Sequence, residues 1–177
     1  MTIYYQFLIY TFLTIYGALL FGAAIYDSTK YIIPNFITIC LCLLFFLTTV
    51  LLPYKTEWLS HFGAASLVFV VGLVAYKYKA LGAGDIKLIT AVSLWASFEF
   101  LSELLIFISI AGGALALFLL LFRQIIVMLV IEIPILRHKF PWPRVLCRGE
   151  PIPYGVAIAL GSIYFGVQSP LLLGYLS

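Results

Sequence analysis

Charge is what this 177-residue chain has least of: charged side chains make up 10% of it, where soluble domains carry about 25%. With 64% of the residues hydrophobic, a water-soluble domain is excluded. Its three cysteines cannot close a disulfide framework. Thirteen glycines and eight prolines are too few for a collagen-like or low-complexity chain. A net charge of +3 with no basic run supplies little phosphate neutralisation, so nucleic acid is not an expected partner. What is present in abundance is apolar sequence in long uncharged runs, the signature of a protein whose partner is the lipid bilayer.

About 20 apolar residues cross the hydrocarbon core, and a charge at mid-depth is costly. Read this way, the chain predicts an all-α, polytopic membrane protein of about six transmembrane helices, forming one membrane-embedded domain over residues 1–177. The expected spans are Ile3–Tyr26, Tyr31–Leu52, Trp58–Tyr76, Gly84–Ser102, Leu104–Phe122 and Ile152–Tyr175. The amino terminus has no basic residue and no small-residue cleavage site after its apolar run, so it reads as the first span. The fourth span reaches crossing length only by taking Asp85 and Lys87 into its start. Leu115–Leu121 does not alternate apolar with polar, which excludes a β-barrel, and no internal repeat suggests an inverted-repeat transporter. Residues 124–136 either prolong the fifth span or lie in the interface.

Basic residues concentrate in cytoplasmic loops. Lys30, Lys77, Lys79, Lys87, Arg123, Arg137, Lys139, Arg144 and Arg148 fall on one side of the predicted spans. Lys55, Glu57, Glu99 and Glu103 fall on the other. Both termini are therefore expected outside the cytoplasm.

The chain has only two aspartates, Asp27 and Asp85, and this topology puts both at the cytoplasmic ends of helices. Like charges held close do not ionise together easily, so such a pair can offer one protonated acid and one ionised base. Peptide hydrolysis uses both: the base takes a proton from an attacking water and the acid bonds the oxygen that gains charge. The bland alternatives are a helix N-cap for Asp85 and an interfacial charge for Asp27. Helix poles disfavour an anion at the end of the first span and favour one at the start of the fourth. On that ground Asp85 is expected to be the base and Asp27 the acid. His61 and His138 fall on opposite sides, so neither a His pair nor a catalytic triad is expected.

Gly82-x-Gly84-Asp85-x-Lys87-Leu88, the upstream Asp27 followed by Ile33-Pro34-Asn35, and Ile152-Pro153-Tyr154-Gly155-Val156-Ala157 at the last span together resemble the type IV prepilin peptidase family of GxGD membrane aspartyl proteases. The likeness is to its short members serving Flp-type pili. The resemblance implies that Asp27 and Asp85 are catalytic, with Gly82, Gly84, Lys87 and Tyr154 as substrate-binding or supporting residues. Glycines there would let the backbone approach substrate; Lys87 reads equally as a snorkelling side chain, Pro34 and Asn35 as the start of a helix, and Tyr154 as a member of an aromatic belt. It also implies prepilins or pseudopilins as substrates, cleaved in the leader (class III signal) peptide at the cytoplasmic face of the inner membrane. Larger members carry an amino-terminal segment with four zinc-binding cysteines and methylate the new pilin terminus. Cys40, Cys42 and Cys147 do not reproduce that segment, so no metal, no cofactor and no methyl transfer are expected. Two other readings compete: a presenilin-like intramembrane protease, whose Pro-Ala-Leu motif is missing here, and a small transporter or ion-binding protein using the two aspartates.

Overall fold

The computed structural model describes residues 2–52, 56–132 and 152–168. Five helical elements follow one another: α1 (Thr2–Lys30), α2 (Asn35–Leu51), α3 (Trp58–Lys77), α4 (Ala83–Glu132) and α5 (Tyr154–Gln168). No strand occurs among the described residues. Three segments, Tyr4–Lys30, Trp58–Lys77 and Ala83–Ile126, are long and apolar enough to cross a membrane, and Asn35–Leu51 and Tyr154–Gln168 are shorter apolar helices. A membrane-embedded helical protein is what this composition demands, because helices satisfy their own backbone groups where no water can.

Two boundaries differ from the sequence expectation. Asp27 lies inside α1 rather than after it: the helix runs on to Lys30, and the Tyr31 N–H donates to the Asp27 carbonyl at 2.9 Å. Residues 32–34, expected in the second span, are not helical. Pro34 caps α2 in an extended conformation, with φ −64° and ψ 136°, and its missing N–H is no loss at a helix start.

The larger difference is in α4. One 50-residue helical stretch replaces the two expected spans, and it breaks at Ser97, whose φ of 56° and ψ of 178° are not helical. The expected break lay several residues later, between Ser102 and Leu104. α3 explains the observed position. In an unbroken helix the Phe98 N–H would bond to the Leu94 carbonyl. Here Phe98 N–H donates to Ser60 Oγ at 3.0 Å, and His61 Nδ1 donates to the Leu94 carbonyl at 2.6 Å. Adjacent residues of α3 thus take up both groups that the break sets free, and apolar periodicity carries no trace of such a cross-helix exchange.

Contacts show that the chain reverses there. Gly72 meets Ile86 and Gly63 meets Phe98, so the first arm (83–96) runs antiparallel to α3. Leu101 and Leu105 pack beside Ala64 and Val68, so the second arm (98–132) runs back along α3. α5 is antiparallel to this second arm, with Gly161 against the Ile108 backbone and Gly112 against Ala157. It is also antiparallel to α1, where Gly166 meets Tyr16 and Gly155 meets Asp27. The second arm continues to Glu132, so residues 124–132 prolong the helix; 133–136 lie outside the described residues.

The first arm is the axis of the bundle. Tyr16 of α1 and Phe45 of α2 both pack on Trp95, with ring centroids 4.8 and 5.7 Å away, and residues 91–97 are all buried. Beyond Asp85 and Lys87 at its start, the arm becomes enclosed by protein on every side over residues 91–96, which are apolar all round but for Ser93. It also need not match the bilayer thickness. At about 1.5 Å per residue this arm is about 20 Å long, which accounts for an apolar run too short to look like a span.

Candidate active site

Three local features bring the two aspartates to one end of the bundle. α1 ends just after Asp27, and Tyr31 then adopts a left-handed φ of 54° that turns the chain into the extended segment leading to α2. α3 ends in a turn closed by Ala80 N–H on the Ala75 carbonyl at 2.9 Å, with Lys79 at φ 58°. That turn delivers Leu81 and Gly82 to the start of α4, and Asp85 sits in its first helical turn.

The result is a cleft of about 660 Å³ lined by the carboxylates of Asp27 and Asp85. Tyr31, Tyr76, Lys77, Lys79, Gly82 and Tyr154 contribute further walls. Asp27 is 6% exposed and Asp85 half-buried, and the two charges are near enough to repel. Each carboxylate receives a backbone donor. Gly82 N–H donates to Asp85 Oδ2 at 3.2 Å, within one turn of chain. Gly155 N–H, from the start of α5, donates to Asp27 Oδ2 at 2.7 Å, and the Val156 N–H faces the same carboxylate.

This second contact removes the ground on which the acid and base roles were told apart. In sequence each aspartate meets only the pole of its own helix, which leaves Asp27 at a negative one. The positive end of α5 now faces Asp27 and offsets that pole, so both carboxylates sit at helix N-termini and neither is singled out.

The other expected residues divide. Gly82 and Tyr154 line the cleft, Tyr154 as the first residue of α5 and 43% exposed. Gly84 faces Ile33: a Cβ there would stand 3.3 Å from Ile33 Cβ and 3.5 Å from the Ile33 nitrogen, so its smallness serves the packing of α4 against the segment before α2. Lys87 donates to Asn35 Oδ1 at 3.0 Å and ties the start of α4 to the start of α2; it is not among the residues lining the cleft. Gly155 is a site residue that the sequence does not single out, although it belongs to the Pro153-Tyr154-Gly155 stretch at the last span. A glycine one residue into a helix was its only visible signal, and the partner, 128 residues away, was not visible at all.

Among the described residues no three His, Cys, Asp or Glu side chains come together. Cys40 and Cys42 are on α2 and do not line the cleft, and Cys147 and His138 lie outside the described residues. What the cleft offers chemically is two carboxyl groups, each steered by a backbone donor, beside two lysines and three tyrosines.

Comparison with curated proteins and with solved structures gives no significant match. A profile of the type IV leader peptidase family matches residues 13–133, a stretch holding both aspartates, the later part of α1, all of α2 to α4 and the break at Ser97. That is well over half of the chain, and the protein therefore belongs to the type IV leader peptidase family and is a membrane-embedded protease of that kind.

Proposed function

We propose that the protein is an aspartyl endopeptidase that removes the leader (class III signal) peptide from type IV prepilins of the Flp kind, with Asp27 and Asp85 as the catalytic pair. The observation that carries this reading is the shared cleft, in which the only two aspartates of the chain face one solvent-open space. Family membership supports the protease chemistry. The pairing of carboxylates supports the aspartic type.

In the proposed reaction one carboxylate is ionised and one protonated. The ionised one takes a proton from a water as its oxygen bonds to the scissile carbonyl carbon, while the protonated one gives its proton to the carbonyl oxygen. A neutral tetrahedral diol results. The carboxyl that gained the water's proton passes it to the amide nitrogen, the C–N bond breaks, and a diol hydroxyl returns its proton to the other carboxylate. The products are a leader ending in a carboxyl group and a pilin with a new amino terminus. No cofactor enters.

The alternating course of the helices, with the two arms of α4 taken separately, and the distribution of basic residues support an active site on the cytoplasmic face of the inner membrane, with both termini outside and residues 1–177 acting as one domain. At that depth a substrate presents the junction of a polar leader with an apolar helix, the shape of a class III signal. Lys77 and Lys79 at the cleft add positive charge where the polar part would lie.

The test is co-expression with candidate class III pilins encoded nearby, followed by intact mass. Wild-type chain should release a pilin shorter by its leader and carrying no added methyl group. Unprocessed pilin with the wild-type chain, or full processing with Asp27→Asn, would overturn the assignment.

A further inference from the structure

The first N–H groups of any α-helix lack partners within it. In α5 the N–H of Gly155 is spent on Asp27, across the interface with α1, at 2.7 Å. Only glycine fits this arrangement. A Cβ at position 155 would stand 2.8 Å from Asp27 Oδ2, 2.9 Å from Asp27 Cγ and 2.8 Å from Ile33 Cδ1. Real Cβ atoms do not come that close to a carboxylate, so a side chain would push Asp27 off the helix end. Asp85 differs, because its donor Gly82 belongs to its own segment and the bond is longer, at 3.2 Å.

An aspartate turns about two torsions, and a bond to one oxygen fixes both. With Oδ2 held by Gly155, the direction of Oδ1 is set as well. A misplacement of about 1 Å at a reacting group lowers rates about 100-fold, so a fixed carboxylate matters more to turnover than to stability. We infer that Gly155 is a positioning residue for cleavage: its N–H holds Asp27 Oδ2, leaving Oδ1 to meet water and substrate, and its missing side chain admits the carboxylate to the end of α5. This inference rests on the proposed Asp27/Asp85 chemistry and extends it to the last helix, which the family match over residues 13–133 does not reach.

The decisive test replaces Gly155 with glycolic acid in the full-length chain, by nonsense suppression during cell-free synthesis into nanodiscs. An ester oxygen then stands where the N–H was, and no atom is added. With a purified class III prepilin as substrate, kcat should fall tenfold or more while KM stays within twofold. A wild-type kcat in the ester chain would overturn the inference. Gly155→Ala should show the same split, and Gly155→Ala combined with Ile33→Val separates positioning from crowding. Removing Ile33 Cδ1 relieves one of the three close contacts, so a packing defect would be rescued and a displaced Asp27 would not; full rescue would count against Gly155 as a positioning residue. Asp27→Asn in the same assay keeps the two levels apart. If it cleaves normally, the dyad itself falls; if it is dead while the ester chain is fully active, only the role of Gly155 falls.

Discussion

The two ends of the bundle both bury polar side chains, and they use them differently. At one end Asp27 and Asp85 line an open cleft of about 660 Å³, each with its Oδ2 held by a backbone N–H. At the other end His61, 4% exposed, and Ser60 are committed to the backbone groups freed at Ser97. Phe45 packs on the His61 ring, with centroids 5.2 Å apart, and Trp58 closes on Phe45 at 6.3 Å. Burial alone therefore does not mark a functional group in this molecule. The contrast is between polar atoms with capacity left over beside open space and polar atoms whose capacity is consumed by the fold.

The comparison breaks most sharply if the aspartates prove structural. Asp27→Asn and Asp85→Asn should each lower leader cleavage by about 1,000-fold, within the range that an acid or base contributes, with abundance and thermal midpoint near wild type. Asparagine keeps a side-chain oxygen that can accept the bond from Gly155 or Gly82, so the local structure has no reason to change. Cleavage assayed by pilin mass beside thermal unfolding in detergent reads both halves. Activity retained by either variant, or loss of the fold in place of activity, would remove the distinction between the two ends.

Next in size is the seam that joins them. At Gly161 a Cβ would stand 2.6 Å from the Ile108 Cα and nitrogen. These are backbone atoms, which cannot swing aside, so α5 and the second arm of α4 would have to part. Gly161→Ala should lower stability by about 3 kcal/mol, the upper range for overpacking, measured by denaturant or thermal unfolding. Since α5 also carries Gly155, cleavage should fall with it.

His61→Phe sharpens the comparison from the other side. It keeps an aromatic ring against Phe45 but leaves the Leu94 carbonyl buried without its donor, a loss of about 2 kcal/mol. The thermal midpoint should fall while kcat of the folded fraction stays within twofold of wild type. A selective loss of kcat would place chemistry at the wrong end.

How far the sequence reached follows the same division. Asp27 and Asp85 were found because each is a charge in a chain with few, and because topology from basic residues puts both at one depth; neither step needs tertiary contacts. The reversal within residues 83–132 was expected, but its position was not. The sequence puts the break at Glu103, between spans ending at Ser102 and starting at Leu104, because charges avoid the membrane core, whereas the break is set at Ser97 by hydrogen bonds with Ser60 and His61, 38 and 33 residues upstream of their partners. Lys87 had two readings from sequence, and its bond to Asn35 is a contact between helix starts that no periodicity encodes. Gly155 stayed hidden for the same reason, since a donor on α5 and an acceptor on α1 meet only when both helices are packed.

The smallest expected effect tests whether the tightly bonded end also stores strain. Ser97 has φ 56° and ψ 178°, a region that is nearly glycine's alone, and holding another residue there costs about 1–3 kcal/mol. Ser97→Gly removes that strain. It also frees the unfolded chain, which offsets about 0.4–1 kcal/mol. Ser60 accepts from the Phe98 N–H and His61 donates to the Leu94 carbonyl, and neither bond involves the Ser97 hydroxyl. The net should be a gain of about 1 kcal/mol, seen as a higher thermal midpoint, with leader cleavage unchanged because the cleft lies at the far end. A fall in stability would mean that the Ser97 side chain, 9% exposed, contributes more to the turn than its backbone geometry takes away.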